Sequence, residues 1–114
     1  MTITEANVTV MVRNMDTSIA FYQSIGFTVK QRWGNHYAQL AVPGVVLGLH
    51  PSKDDHGGGE GNISIGLTAD DFDGAKQLLD DLSMPYSSRQ EEGGSFLHFT
   101  DPDGNALYFI KPRW

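Results

Sequence analysis

Histidine is the side chain best suited to acid–base chemistry near neutral pH, and this sequence of 114 residues contains four histidines. His50 and His98 lie in apolar, strand-like segments, whereas His36 and His56 lie near turns or in a polar loop. A histidine in a pocket can act as a general base or bind an anionic group of a ligand. Two histidines from different strands hold a metal ion only if a third ligand converges on them. The sequence therefore leaves proton transfer, anion binding and metal binding open for His50 and His98.

Cysteine is absent, which excludes disulfides, thiolate zinc sites, iron–sulfur clusters and thiol nucleophiles. Eight Lys and Arg residues stand against 14 Asp and Glu residues, which gives a formal net charge of −6. Because no basic cluster is present, we expect no nucleic-acid partner. The acidic balance fits either a cationic partner or a solvated surface that keeps the protein soluble.

Hydrophobic runs in the chain are only a few residues long, so we expect no membrane-spanning segment. The first five residues, MTITE, lack the basic and apolar regions of a signal peptide. These two features predict a cytoplasmic protein that does not associate with a membrane.

The two halves of the chain predict the same order of elements. Each half opens with a strand in which apolar and polar residues alternate, at 7–12 and at 62–67. A helical pattern follows, beginning at an Asp16 N-cap in the first half and at Asp70 or Asp71 in the second. Three strand-like segments, separated mostly by glycine-containing turns, follow each helix: 27–33, 36–42 and 45–50, then 86–89, 95–100 and 106–111.

A repeated β-α-β-β-β unit predicts an α+β fold made of two modules. We expect one domain over residues 1–114, with module one at 6–50 and module two at 62–112. The intervening segment 51–61 is polar and rich in glycine, so it is interpreted as a linker, with a lid over a pocket as the alternative.

Two motifs in this arrangement resemble the vicinal oxygen chelate superfamily, which includes glyoxalase I, extradiol dioxygenases, fosfomycin-resistance enzymes and bleomycin-resistance proteins. The first is MDTSIAFY at 15–22 followed by IGF at 25–27, and the second is FTDPDGN at 99–105. The resemblance covers residues 6–112. It implies two βαβββ modules whose curved sheets surround a cavity while the helices pack outside. Asp101 is interpreted as part of the turn in the second motif rather than as a catalytic acid.

The resemblance also implies where a metal would bind, because the metal enzymes of this superfamily take one ligand, usually His or Glu, from each of four strands. The matching positions here are Asn7, Gly48, Asn62 and Tyr108. None of them is His, Asp or Glu, and neutral amides are poor ligands for divalent transition metals. We therefore expect the metal-free, bleomycin-resistance-like branch, with no metal and no other cofactor.

Since the resemblance places the helices against the more apolar face of each strand, the opposite face is expected to line the cavity. We expect Val8 and Ile63, among other strand residues, to face the helices. Leu79 and Leu82 are expected to lie on one apolar stripe of the second helix. The residues expected to line the cavity are aromatic or neutral polar: Asn7, Trp33, Tyr37, Gln39, His50, Asn62, Phe96, His98 and Tyr108. Flat apolar walls with a few oriented donors are typical of a small-molecule pocket.

The leading hypothesis is a non-catalytic binding protein that sequesters an aromatic or cationic drug, as an antibiotic-resistance factor does. The alternative is an enzyme of the same fold, a metal-dependent or His/Tyr acid–base lyase, isomerase or dioxygenase. A module with a vestigial cavity is a third interpretation. Members of this superfamily commonly pair, so the resemblance implies a homodimer.

Overall fold

The computed structural model describes residues 1–52 and 63–112, and within these ranges the β-α-β-β-β order occurs twice. The strands and helices of the first repeat are β1 Val8–Val12, α1 Met15–Ser24, β2 Thr28–Trp33, β3 Tyr37–Val42 and β4 Val45–Pro51. Those of the second are β5 Ser64–Thr68, α2 Phe72–Asp81, β6 Ser87–Glu91, β7 Gly94–Thr100 and β8 Ala106–Pro112. The predicted α+β class and the repeated unit are confirmed. Asn62 and most of the predicted linker, residues 53–61, lie outside the described residues.

The described residues divide into two compact units, each with its own four-stranded sheet. Unit 1 contains residues 1–52 and the turn residues Pro102–Gly104, and unit 2 contains residues 63–101 and 105–112. The strand order is β1-β4-β3-β2 in unit 1 and β5-β8-β7-β6 in unit 2. In each sheet the first strand runs parallel to its neighbour and the other pairs are antiparallel. Neither described helix has the length and apolar content needed to cross a membrane.

Helix α1 buries one face against the sheet of unit 1, with Tyr22 fully enclosed and in edge contact with Phe27. The helix begins two residues earlier than predicted, because Asn14 and not Asp16 is its N-cap. The Asn14 side chain accepts a hydrogen bond from the backbone N–H of Thr17 at 2.9 Å, which satisfies one free donor of the first turn. The chain leaves the helix through Gly26, whose φ of +113° suits glycine.

Helix α2 packs on the sheet of unit 2 and is capped by Asp71, whose carboxylate accepts a hydrogen bond from the Gly74 backbone N–H. Leu79 is completely buried, as the apolar stripe predicts. The prediction for Leu82 is wrong, since its exposed fraction is 40%. The helix ends at Asp81, so Leu82 is the C-cap and leaves the stripe.

The predicted helix-facing sides of the strands are mostly buried, with two exceptions at strand starts. Leu47, Leu49 and Leu107 have exposed fractions of 0 to 1%. Val8 and Ile63, predicted on the same side, are 38% and 66% exposed. Val8 is the first residue of β1, an edge strand with a neighbouring strand on one side only. Ile63 precedes β5 and therefore lies outside the sheet.

The turn at residues 101–105 is held by the Asp101 carboxylate in unit 2. This carboxylate accepts hydrogen bonds from the Asn105 backbone N–H and from Asn105 Nδ2, both at 2.8 Å. Gly104 has a φ of +86°, which a side chain would disfavour. The interpretation of Asp101 as a turn residue is confirmed.

Candidate functional site

Three aromatic rings form a cluster on one face of the unit 2 sheet. This is the face turned away from α2, and we call it the open face of unit 2. Phe96 and His98 alternate along β7 with the buried Leu97 and Phe99, and Tyr108 pairs directly with His98. The Phe96 and His98 rings are stacked, with centroids 5.7 Å apart and planes 14° apart. The Tyr108 ring is 5.8 Å from Phe96 and 5.7 Å from His98, centroid to centroid. We call Phe96, His98 and Tyr108 the aromatic cluster; its members are half-buried.

Gly66 makes room for the aromatic cluster. It pairs with Tyr108 across the parallel strands β5 and β8. A Cβ added at Gly66 would come within 2.5 Å of Tyr108 Cζ and 2.8 Å of its Cε2, closer than real Cβ atoms approach a neighbour. Glycine at this position therefore lets the Tyr108 ring lie across the strand. The residue pattern of β5 alone does not indicate this role of Gly66, which depends on its pairing with Tyr108.

Strand β6 adds polar side chains beside the aromatic cluster. In the antiparallel register Ser87 is opposite His98 and Arg89 is opposite Phe96. Residues directly opposite each other in neighbouring strands project from the same face, with Cβ atoms about 4.5–5.5 Å apart. Arg89 was missed in the sequence analysis, because β6 reads SSRQE with no apolar alternation and only its register assigns its faces.

A second aromatic group, the Trp33–Tyr37 pair, lies on the open face of unit 1, which is the face of its sheet turned away from α1. The two residues are opposite each other in β2 and β3, and their rings are stacked with centroids 5.6 Å apart. Trp33 is 48% exposed and Tyr37 is half-buried. The Tyr37 hydroxyl and Thr9 Oγ1 occupy the space where Gly48 would carry a Cβ.

The remaining predicted site residues of unit 1 are Gln39, His50 and Asn7. Gln39 is half-buried and opposite Gly48, and His50 is opposite Met11. His50 is exposed, with Nδ1 2.7 Å from the carbonyl oxygen of Pro51. Asn7 is exposed just before β1, where its side-chain oxygen accepts a long hydrogen bond from Thr9 Oγ1. The structure thus groups the predicted residues within each unit, and Asn62 lies outside the described part of the chain.

Three of the four positions that the superfamily resemblance assigns to a metal belong to the described residues, and they do not fit a divalent ion. Gly48 offers no donor, Asn7 offers a neutral amide, and the Tyr108 ring packs against Gly66 and His98. Over residues 1–52 and 63–112, no three His, Asp or Glu side chains lie together as a metal site would require. We therefore derive no chemistry from a metal.

A separate concave surface of about 300 Å³ lies at the start of α1 in unit 1. It is lined by Arg13, Asn14, Thr17, Ser18, Pro102 and Asp103. The Asp103 carboxylate is 2% exposed and accepts hydrogen bonds from the Arg13 backbone N–H at 2.9 Å and from Arg13 Nε at 2.8 Å. Ser18 Oγ donates a third at 3.3 Å. Because these polar groups already bond to one another, the cluster stabilises unit 1 and is a poorer ligand site than the aromatic cluster.

Comparison with known proteins places these features in a family. The family model described as Glyoxalase/Bleomycin resistance protein/Dioxygenase superfamily matches residues 6–109. Two relatives are each 30% identical to this chain. One is an uncharacterized protein of Mycolicibacterium smegmatis, matched over 92% of this chain and 90% of its own length. The other is metallothiol transferase FosB of Lysinibacillus sphaericus, matched over 86% of this chain and 74% of its own length.

A solved structure carries the same fold. The crystal structure of a bleomycin-binding protein complexed with bleomycin superposes with a TM-score of 0.74. The alignment covers 97% of this chain and 100% of that chain at 20% sequence identity. At this identity the similarity establishes the fold and leaves the ligand to be argued from the residues of this chain.

Proposed function

Because the chain belongs to the Glyoxalase/Bleomycin resistance protein/Dioxygenase superfamily, we propose that it is a small-molecule-binding protein that works without a metal centre. The observation that carries the proposal is the aromatic cluster of unit 2. Its rings lie on the open face of the sheet, so they are not part of the core between the sheet and α2. The ligand is an aromatic molecule with a planar ring system, which stacks on these rings.

Ring stacking and polar orientation are both available at this face. Offset or edge contacts between aromatic rings contribute about 0.5–1.5 kcal/mol beyond area burial. The Tyr108 hydroxyl and the Ser87 hydroxyl can donate hydrogen bonds that orient a polar substituent of the ligand. The bleomycin-binding protein of the same fold supports the proposal as an example of a binder on this scaffold.

The second candidate is an enzyme: a metal-dependent or His/Tyr acid–base lyase, isomerase or dioxygenase. The relative named metallothiol transferase FosB supports a catalytic function for this scaffold. His98 beside Tyr108 supplies two groups that could exchange a proton with a substrate. Against the metal-dependent form stand Gly48 and Asn7, which cannot supply the required ligands.

A calorimetric titration with naphthalene carboxamide, a neutral planar probe, tests the binding proposal. We expect saturable binding to protein dialysed against EDTA. Phe96→Leu keeps an apolar side chain but removes the ring, so it should weaken the affinity about tenfold. Tyr86→Phe, which alters an aromatic residue of unit 2 outside the cluster, should bind as the wild type does. Equal affinity of the Phe96→Leu and wild-type proteins would reject the proposed site.

We propose a homodimer as the assembled state. Strand β2 is the outer strand of the unit 1 sheet, and all six of its residues are exposed, including Val29 and Trp33. Exposed apolar residues on an unpaired edge favour pairing with another chain. Sedimentation velocity over a range of concentrations should give a dimer, and Val29→Lys should shift it to monomer. A monomer at every concentration would contradict this proposal.

A further inference from the structure

The open face of unit 2 carries a positive charge next to its aromatic rings. Two rows of side chains cross the sheet here, and each runs from β5 through β8 and β7 to β6. They are Gly66, Tyr108, His98 and Ser87, and then Thr68, Ile110, Phe96 and Arg89. Arg89 is exposed, directly opposite Phe96 and diagonal to His98. Diagonal neighbours in a sheet lie about 7–8 Å apart, within reach of an arginine.

Neither of these two rows contains a carboxylate. Glu91 projects from the same face one row further out, where it is opposite Gly94. Among the ion pairs of the described residues none involves Arg89 or Glu91. Several of the acidic residues behind the net charge of −6, among them Asp71, Asp73 and Asp80, belong to α2 and its cap and not to these two rows.

We propose that the ligand of the aromatic cluster is a planar aromatic anion, whose carboxylate, sulfonate or phosphate group is bound by Arg89. The inference rests on the proposed function and adds the charge of the ligand to it. A guanidinium group binds such oxyanions through paired hydrogen bonds in a fixed plane. A ring stacked on Phe96 brings a substituent toward the cross-strand partner of Phe96, which is Arg89. A cationic ligand would meet the positive charge of Arg89 at the same place, and this repulsion disfavours the cationic alternative.

Three naphthalene derivatives of the same shape separate charge from stacking. They are the carboxylate, the carboxamide and the amidinium, each substituted at the same ring carbon, titrated into the full-length protein at one ionic strength and neutral pH. We expect the carboxylate to bind about tenfold more tightly than the amidinium. Arg89→Gln should remove this preference. Lys111→Gln removes the same unit of charge from the opposite face of β8 and should leave the preference in place.

The outcomes distinguish the two proposals. If all three probes bind with similar affinity and Phe96→Leu weakens them all, the binding function stands and the anionic ligand is rejected. A preference for the amidinium, or a carboxylate preference that survives Arg89→Gln, also rejects the anionic ligand. If none of the probes binds the wild-type protein, the proposed function fails and this inference fails with it.

Discussion

Asp103 is a buried carboxylate that stabilises unit 1 through hydrogen bonds from Arg13 and Ser18. Asp103→Asn keeps the shape but removes the negative charge and replaces one of the two acceptor oxygens with an NH₂ group. We expect the free energy of unfolding to fall by about 1–3 kcal/mol, as measured by urea denaturation. Asp70→Asn, which alters an exposed acidic residue, should change it by less than about 0.5 kcal/mol. Equal effects of the two substitutions would contradict the proposed role of Asp103.

The surroundings of Tyr86 predict how the stability of the folded state changes at high pH. Its hydroxyl donates a hydrogen bond to the Asp80 carboxylate at 2.8 Å. This hydrogen bond, with smaller contributions from desolvation and from the negative charge of Asp80, raises the pKa of Tyr86 above its ordinary value. The raised pKa means that the folded state favours the neutral phenol. The resulting stabilisation is present below the ordinary tyrosine pKa of about 10 and is lost as pH rises through the raised value.

Asp80→Asn should therefore lower the pKa of Tyr86, because the anionic acceptor is gone. Spectrophotometric titration of tyrosinate measures this shift, and subtraction of the Tyr86→Phe curve isolates Tyr86 from the other three of the four tyrosines. An unchanged pKa for Tyr86 in the Asp80→Asn protein would show that the hydrogen bond is not formed in solution.

The helices and strands were largely predictable, because alternation, caps and glycine turns are local signals. Gly44 and Gly104 have φ values of +90° and +86° at turns that the sequence analysis identified. The cap of α1 was not predicted correctly, since Asn14 and Asp16 are both good caps and only the backbone geometry selects Asn14. The location of Arg89 beside Phe96 was not predictable either. It depends on the register of β6 against β7, and a wholly polar strand carries no signal for its register.

Leu79 and Leu82 give a matched test of how α2 packs on its sheet. The two leucines were predicted on one stripe, but Leu79 is fully buried and Leu82 is 40% exposed. Leu79→Ala should lower the free energy of unfolding by about 2–5 kcal/mol, because it removes buried methyl groups and leaves a cavity. Leu82→Ala should cost less, about 1 kcal/mol, since 40% of the residue is already exposed and a smaller apolar area is lost from the interior. Thermal or urea denaturation of both variants distinguishes this packing from the two-leucine stripe.

A binding protein that works without a metal centre should have a stability that does not depend on a metal. A metal bound to the native state would raise the melting temperature by mass action. We expect the melting temperature and the probe affinity to be the same after EDTA treatment as before it. Elemental mass spectrometry of untagged, dialysed protein should find well below one equivalent of zinc, nickel, iron or manganese. Near-stoichiometric metal whose removal lowers the melting temperature would favour the enzyme candidate instead.

The proposed function requires that the open face of unit 2 binds an aromatic ligand through Phe96, His98 and Tyr108. Chemical-shift mapping by NMR during a titration with naphthalene carboxylate tests it most directly. We expect saturable shifts concentrated on these three residues and on Arg89, with Leu79 in α2 unaffected. Shifts concentrated at the concave surface beside Arg13 and Asn14, or no saturable shifts at all, would contradict it.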